Sequence, residues 1–205
     1  MKKTTQFFAM LFIFLFPQIM LAYTSATALA QYLNHFTTFQ ATFNQHTFGH
    51  HHEMLQNSQG TVALIRPGRF RWDTHSPSHQ IVVTNGKLLW IYDIDLKQVT
   101  KQSLAQSGVD PAQLLSGRVH YLLAQFNVHI LKKTNQSIAF QLIPKKNSQQ
   151  FKSVVMIFEN KKLSELDVMN SLNQTTIFKF SNIILNAPLN ANLFNFKIPQ
   201  GVDEL

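Results

Sequence analysis

Histidine is the residue type in this chain most able to do chemistry: His46, His50, His51 and His52 crowd one stretch, and His75 and His79 follow. Imidazoles at such density can hold a divalent metal. The stretch Gly49-His50-His51-His52-Glu53 falls between two strand-like segments, however, so it reads as a hairpin loop. Neighbouring side chains on a loop tip do not aim at one centre, and no Asp follows closely enough to orient a ring. A solvated loop with weak adventitious metal affinity is the expectation, and no metal site is assigned. The absence of Cys excludes disulfides, thiolate metal sites, a thiol nucleophile and lipid attachment through sulfur. Nothing matches Gly-x-Ser-x-Gly, a phosphate-cradling glycine loop or His-Glu-x-x-His. Ten acidic residues are too few and too scattered to pair by spacing, and Asp93 and Asp95 look like turn residues. The chain is not expected to be an enzyme.

The excess of 18 Lys and Arg over 10 Asp and Glu permits an anionic partner. Arg66, Arg69 and Arg71 interleave with Phe70 and Trp72, as nucleic-acid surfaces do. In a strand, though, Phe70 and Trp72 point to one face and Arg69 and Arg71 to the other. The segment before them also argues for export. Lys2 and Lys3 precede an unbroken apolar run from Phe7 to Phe16, Pro17 and Gln18 break it, and Ala22 offers a cleavage point, with Ala26 as a second. Residues 1–22 therefore read as a signal peptide and 23–205 as one soluble domain. The run is too short to span a bilayer, which takes about 20 apolar residues. Nucleic acid is not an expected partner.

An apolar fraction of 45% with 14% charge describes a chain that buries a core. Leu29, Leu33 and Phe36 recur at helical spacing. From Phe39 the period becomes two, with Phe39, Ala41 and Phe43 alternating against Gln40, Thr42 and Asn44. Strand patterns follow at 60–65, 69–74, 80–84, 87–92 and 97–103, with Asn85-Gly86 as a two-residue hairpin signal. Asp110-Pro111 opens a helix holding Leu114 and Leu115, which Gly117 ends, and Leu122 to Phe126 suggests a second short one. Strands resume at 126–131, 137–143, 151–158, 162–168, 174–184 and 194–198. The expected fold is mainly β with a helical lid. One antiparallel sheet of ten or eleven strands, too wide to stay flat, curls into an unclosed barrel, and two or three helices cover its apolar cavity.

Several strings carry a family resemblance. They are Phe36-Thr37-Thr38-Phe39-Gln40-Ala41-Thr42-Phe43-Asn44-Gln45, Arg66-Pro67-Gly68-Arg69-Phe70-Arg71-Trp72-Asp73, the stretch from Ile81 to Asp93, and Phe194-Asn195-Phe196-Lys197-Ile198-Pro199-Gln200-Gly201-Val202-Asp203. In this order they resemble the outer-membrane lipoprotein carrier (LolA) family. The resemblance implies a monomeric periplasmic chaperone without cofactor or catalytic residue. Its cargo would be acylated lipoproteins, taken from an inner-membrane ABC transporter complex and passed to an outer-membrane lipoprotein receptor. It implies too that Arg66 latches the lid by bonding backbone near Leu114, Leu115 and Ser116. Because this chain stops at Leu205, a carboxy-terminal extension that helps direct cargo outward is expected to be missing or replaced.

The residues expected to line the acyl-chain cavity are Phe70, Trp72, Leu89, Ile91, Phe140, Leu142, Phe178 and Phe180, with Leu114 and Leu115 from the lid. Periodicity alone leaves open whether these enclose a hollow or fill a core. The alternative function is a periplasmic half-barrel that binds or senses another amphiphile, such as a free lipid or glycolipid or an envelope-stress signal.

Overall fold

A computed structural model describes residues 24–104, 111–146 and 151–205. The expected signal segment with Ala22 and the expected cap Asp110 lie outside the described residues. Helix α1 (Ser25–Asn34) starts where the Thr24 hydroxyl accepts from the Thr27 amide, and it buries Ala28, Leu29 and Leu33. Strand β1 (Thr38–Phe48) follows, burying Phe39, Ala41 and Phe43 on its inner face. A tight turn at Gly49–Glu53, held by the Gly49 amide donating to the Glu53 carbonyl, returns the chain as β2 (Met54–Ile65). Four more strands complete the first meander: β3 (Arg69–Ser76), β4 (Gln80–Thr84), β5 (Leu88–Asp93) and β6 (Gln98–Ser103). After helices α2 (Pro111–Ser116) and α3 (Val119–Gln125), a second meander runs through β7 (Phe126–Lys133), β8 (Ser137–Pro144), β9 (Phe151–Glu159), β10 (Lys162–Asn170) and β11 (Thr175–Leu185).

Pairing of β1 with β11 fuses the two meanders into one sheet, which the terminal strand β12 (Asp203–Glu204) extends, in the order β12-β6-β5-β4-β3-β2-β1-β11-β10-β9-β8-β7. Strand twist accumulates over so many strands and rolls the sheet around its inner face. The order explains the lid. β6 and β7 lie toward opposite ends of the sheet, so the segment joining them must cross the mouth of the half-barrel. α2 and α3 are that crossing.

Two sequence expectations are corrected. The β4–β5 hairpin turns about Gly86 and Lys87 rather than Asn85 and Gly86, because Thr84 pairs with Leu89 and the Asn85 amide donates to the Leu88 carbonyl. Gly86 then takes the positive φ, +93°, of the first turn position, while Asn85 Oδ1 accepts from the Lys87 and Leu88 amides. The alternation at 194–198 does not make a strand either. A 3-10 turn at Ala191–Phe194 leads into an extended segment that lays Phe196 and Ile198 on the outer face of the sheet. There they cover Ile81, Val83, Trp90 and Val99, a second and smaller core. The chain ends as β12 (Asp203–Glu204), which pairs parallel with β6.

The outer face of the second meander carries a half-buried acid. Asp167 on β10 has a carboxylate oxygen shut away from water without a hydrogen-bond partner. Burial first, and then neighbouring Glu165, push its carboxyl up from 3.8 to about 7. In the unfolded chain this group ionises near pH 4. Stability therefore falls as pH rises from there through about 7, and above that the folded state carries the full penalty. Asp167→Asn is expected to raise the melting temperature at pH 8 and to change it little at pH 4, as thermal melts at the two pH values will show.

Candidate functional site: a cavity on the inner face of the sheet

Beneath the first meander lies an open cavity of about 480 Å³. Phe70 and Trp72 of β3, Val82 of β4, Leu89 and Ile91 of β5 and Phe178 of β11 form its apolar wall. Trp72 is braced from behind: its ring lies 4.4 Å from that of Phe43 and 5.1 Å, edge-on, from that of Phe178. The rest of the lining is polar and uncharged, with four glutamines (Gln45, Gln56, Gln80 and Gln102) beside Ser58, Thr74 and Ser78.

Five of the eight expected cavity residues, Phe70, Trp72, Leu89, Ile91 and Phe178, face this space. Phe140, Leu142 and Phe180 do not. Phe140 and Leu142 are fully buried in the other half of the barrel, where Tyr32 of α1 packs on Phe140 and Phe158. Helix α1 packs into that half, whereas the cavity lies against β2 to β6, with Gln45 of β1 and Phe178 of β11 at its side. Phe180 sits behind Trp72 and against Phe39. The glutamines were not foreseen. Their signal was a polar residue at an inward position, such as Gln45 two places after Phe43.

Leu114, Leu115 and Ser116 of α2 are each 1% exposed, and the two leucines pack into the main core that continues from the cavity wall. Two contacts hold this helix down from the turn after β2. The Gly68 amide donates to the Ser116 carbonyl at 2.7 Å, and Gly68 adopts φ +80°, a conformation that a side chain would strain. Arg66 makes the other. Its Nε donates to the Leu115 carbonyl at 2.8 Å, Nη1 donates to the Leu33 carbonyl at the end of α1, and the guanidinium lies 4.3 Å over the Phe36 ring. Nη2 is buried without a partner. Burial draws the guanidinium down to about 10, so at neutral pH it stays charged in an apolar setting.

The histidine stretch divides. His46 lies within β1, and His50, His51 and His52 occupy the exposed β1–β2 turn. Among the described residues those four form no cluster with ligand geometry, while His75 and His79 meet Asp73 instead.

The model of the outer membrane lipoprotein carrier protein LolA matches residues 34–197. The chain belongs to the LolA family. It is 45% identical over 196 residues to an outer-membrane lipoprotein carrier protein of Coxiella burnetii, covering 94% of this chain and 92% of that protein. A Legionella pneumophila protein of the same name is 36% identical over 95% of this chain and 96% of its own length. Among solved structures, an uncharacterized conserved protein from Thermus thermophilus superposes with a TM-score of 0.57 at 12% identity. It covers 89% of this chain and 99% of its own. A LolA superfamily protein from Nitrosomonas europaea gives 0.50 at 12% identity, over 83% and 97%. At such identity these two matches establish the shared fold and nothing finer. The LolA fold here is the unclosed sheet with a helical crossing over its mouth.

Proposed function

We propose that this protein carries acylated lipoproteins through the periplasm, with their fatty chains held between the curled sheet and the lid. The observation that carries this reading is a hollow with an aromatic wall on the inner face of a sheet whose crossing helix is tied down by a partly buried arginine. Burying an acyl chain is worth about 0.8 kcal/mol per methylene, about 10 kcal/mol for one long chain. A volume of 480 Å³ holds about sixteen groups the size of water, roughly one such chain. Cargo with two or three chains requires α2 and α3 to lift, which would open the space that Leu114 and Leu115 fill.

The polar lining speaks for the chemistry of the cargo. The ester and amide carbonyls of an acylated amino terminus accept hydrogen bonds, which glutamine amides supply. A phospholipid would bring a phosphate to a wall with no lysine, arginine or histidine among its described residues. Leaving that charge unpaired costs several kcal/mol. In this reading an inner-membrane ABC transporter complex hands cargo to the open half-barrel, and an outer-membrane receptor takes it as the lid returns. Cleavage of the signal after Ala22 would keep the Thr24 cap of α1, whereas cleavage after Ala26 would remove it.

The test is mass spectrometry of material that copurifies with tagged protein from periplasmic extract. Triacylated protein in the bound fraction is expected. Bare lipid without protein would instead favour the amphiphile-binding alternative.

A further inference from the structure

On the outer face of the first meander, away from the cavity, three side chains converge. Asp73 and His75 share a face of β3, two residues apart, and the β3–β4 turn brings His79 back beside them. Asp73 Oδ1 lies 3.0 Å from His79 Nε2 and 3.3 Å from His75 Nε2. All three ligand atoms fall within 4.8 Å of one another. We propose that Asp73, His75 and His79 form a binding site for a divalent transition metal of the zinc type.

The distances favour this. Zinc binds imidazole nitrogen and carboxylate oxygen at about 2.1 Å. Neighbouring ligand atoms around such an ion are then about 3.0 Å apart in an octahedron and about 3.4 Å in a tetrahedron. The two nitrogen–oxygen edges already have those lengths, so only the separation of the two rings must close. Both histidines are about half exposed, at 50% and 41%, which leaves them free to rotate. Two imidazoles and one carboxylate suit a borderline ion better than magnesium or calcium, which prefer oxygen.

The surroundings hold the ligands in place. Arg71 Nη2 binds Asp73 Oδ2 at 3.0 Å, fixing the carboxylate with its other oxygen toward the rings. The His79 amide donates to Asp95 Oδ2, and the Ile94 amide donates to the His79 carbonyl, so the turn that carries His79 is itself anchored. The guanidinium charge works against a cation, so moderate rather than tight affinity is expected. Because Ser78 and Gln80 of the same hairpin line the cavity, a bound ion would clamp one side of its mouth.

Calorimetric titration of zinc chloride into the full mature protein tests the site, with cobalt(II) absorption as a second readout. One ion per chain is expected, along with the strong visible band of a nitrogen-ligated cobalt centre. Affinity should fall at least tenfold in both His79→Ala and His75→Gln, and should persist when His50, His51 and His52 are all changed to Ala. All of these variants alter exposed side chains, and circular dichroism confirms that they fold. Absence of stoichiometric binding to the wild type would overturn the proposal. So would binding that survives His79→Ala or is lost with the 50–52 triple change.

Discussion

Purified Arg66→Leu protein is expected to load acylated lipoprotein at least as well as the wild type and to pass it on poorly. Leucine cannot donate to the Leu115 and Leu33 carbonyls, so the ends of α2 and α1 each lose a partner. A hydrogen bond involving a charged group contributes about 1.5–3 kcal/mol. Part of that loss is offset, because removing the guanidinium also removes its desolvation and its unpartnered Nη2. A net weakening of the closed state by about 1.4 kcal/mol is a tenfold shift. The direction follows from what each state contains. In the proposed cycle the closed, empty protein has the latch and the loaded protein has released it, so its loss would favour the loaded form and oppose release. Transfer to receptor-bearing liposomes should drop tenfold or more. Arg66→Lys should fall between, since a lone ammonium cannot reproduce the two-pronged contact. Wild-type transfer by Arg66→Leu would remove the latch from the account.

Ile91→Glu is expected to abolish loading while leaving the fold intact. Ile91 lines the cavity and is only partly buried, so its carboxylate can stay hydrated in the empty protein. An arriving acyl chain would have to strip that water, and a buried carboxylate without a partner costs several kcal/mol. The chain would lose the contact of the isoleucine as well. Together these exceed a hundredfold in affinity, while the melting temperature should move by only a few degrees. Phe140→Glu is a poor probe by comparison, because Phe140 is fully buried against Tyr32 and Phe158 and its loss would unfold the half-barrel. Loading of Ile91→Glu at wild-type affinity would show that acyl chains lie elsewhere.

How much of this was legible in the sequence depends on the question put to it. Alternation assigned Phe70, Trp72, Leu89 and Ile91 to the inner face, because a strand exposes opposite faces at successive residues and nothing at long range changes that. It could not tell a wall from a filling. Phe140 and Phe178 show the same pattern, yet Tyr32 closes the space over the first and the cavity remains beside the second. Phe196 and Ile198 alternate like strand residues because they pack on a surface, the Trp90 cluster, without any backbone ladder. The link among Asp73, His75 and His79 was hidden for another reason. Two of the residues are strand neighbours, but the third joins them only through the particular path of a hairpin turn. Arg66 was legible only through the family resemblance, since no local pattern says which carbonyls a strand-end arginine will reach.

The claim that acyl chains enter this hollow can be tested at Trp72 itself. Of the two tryptophans, Trp72 lines the cavity and Trp90 packs on the opposite face under Phe196, so Trp90→Phe leaves a single reporter inside. Bromine on an acyl chain quenches indole fluorescence only near contact. Adding a triacylated lipopeptide with brominated chains should quench Trp72 in proportion to binding, and the same peptide without acyl chains should not. Saturable binding of the brominated lipopeptide with unchanged Trp72 emission would contradict the account.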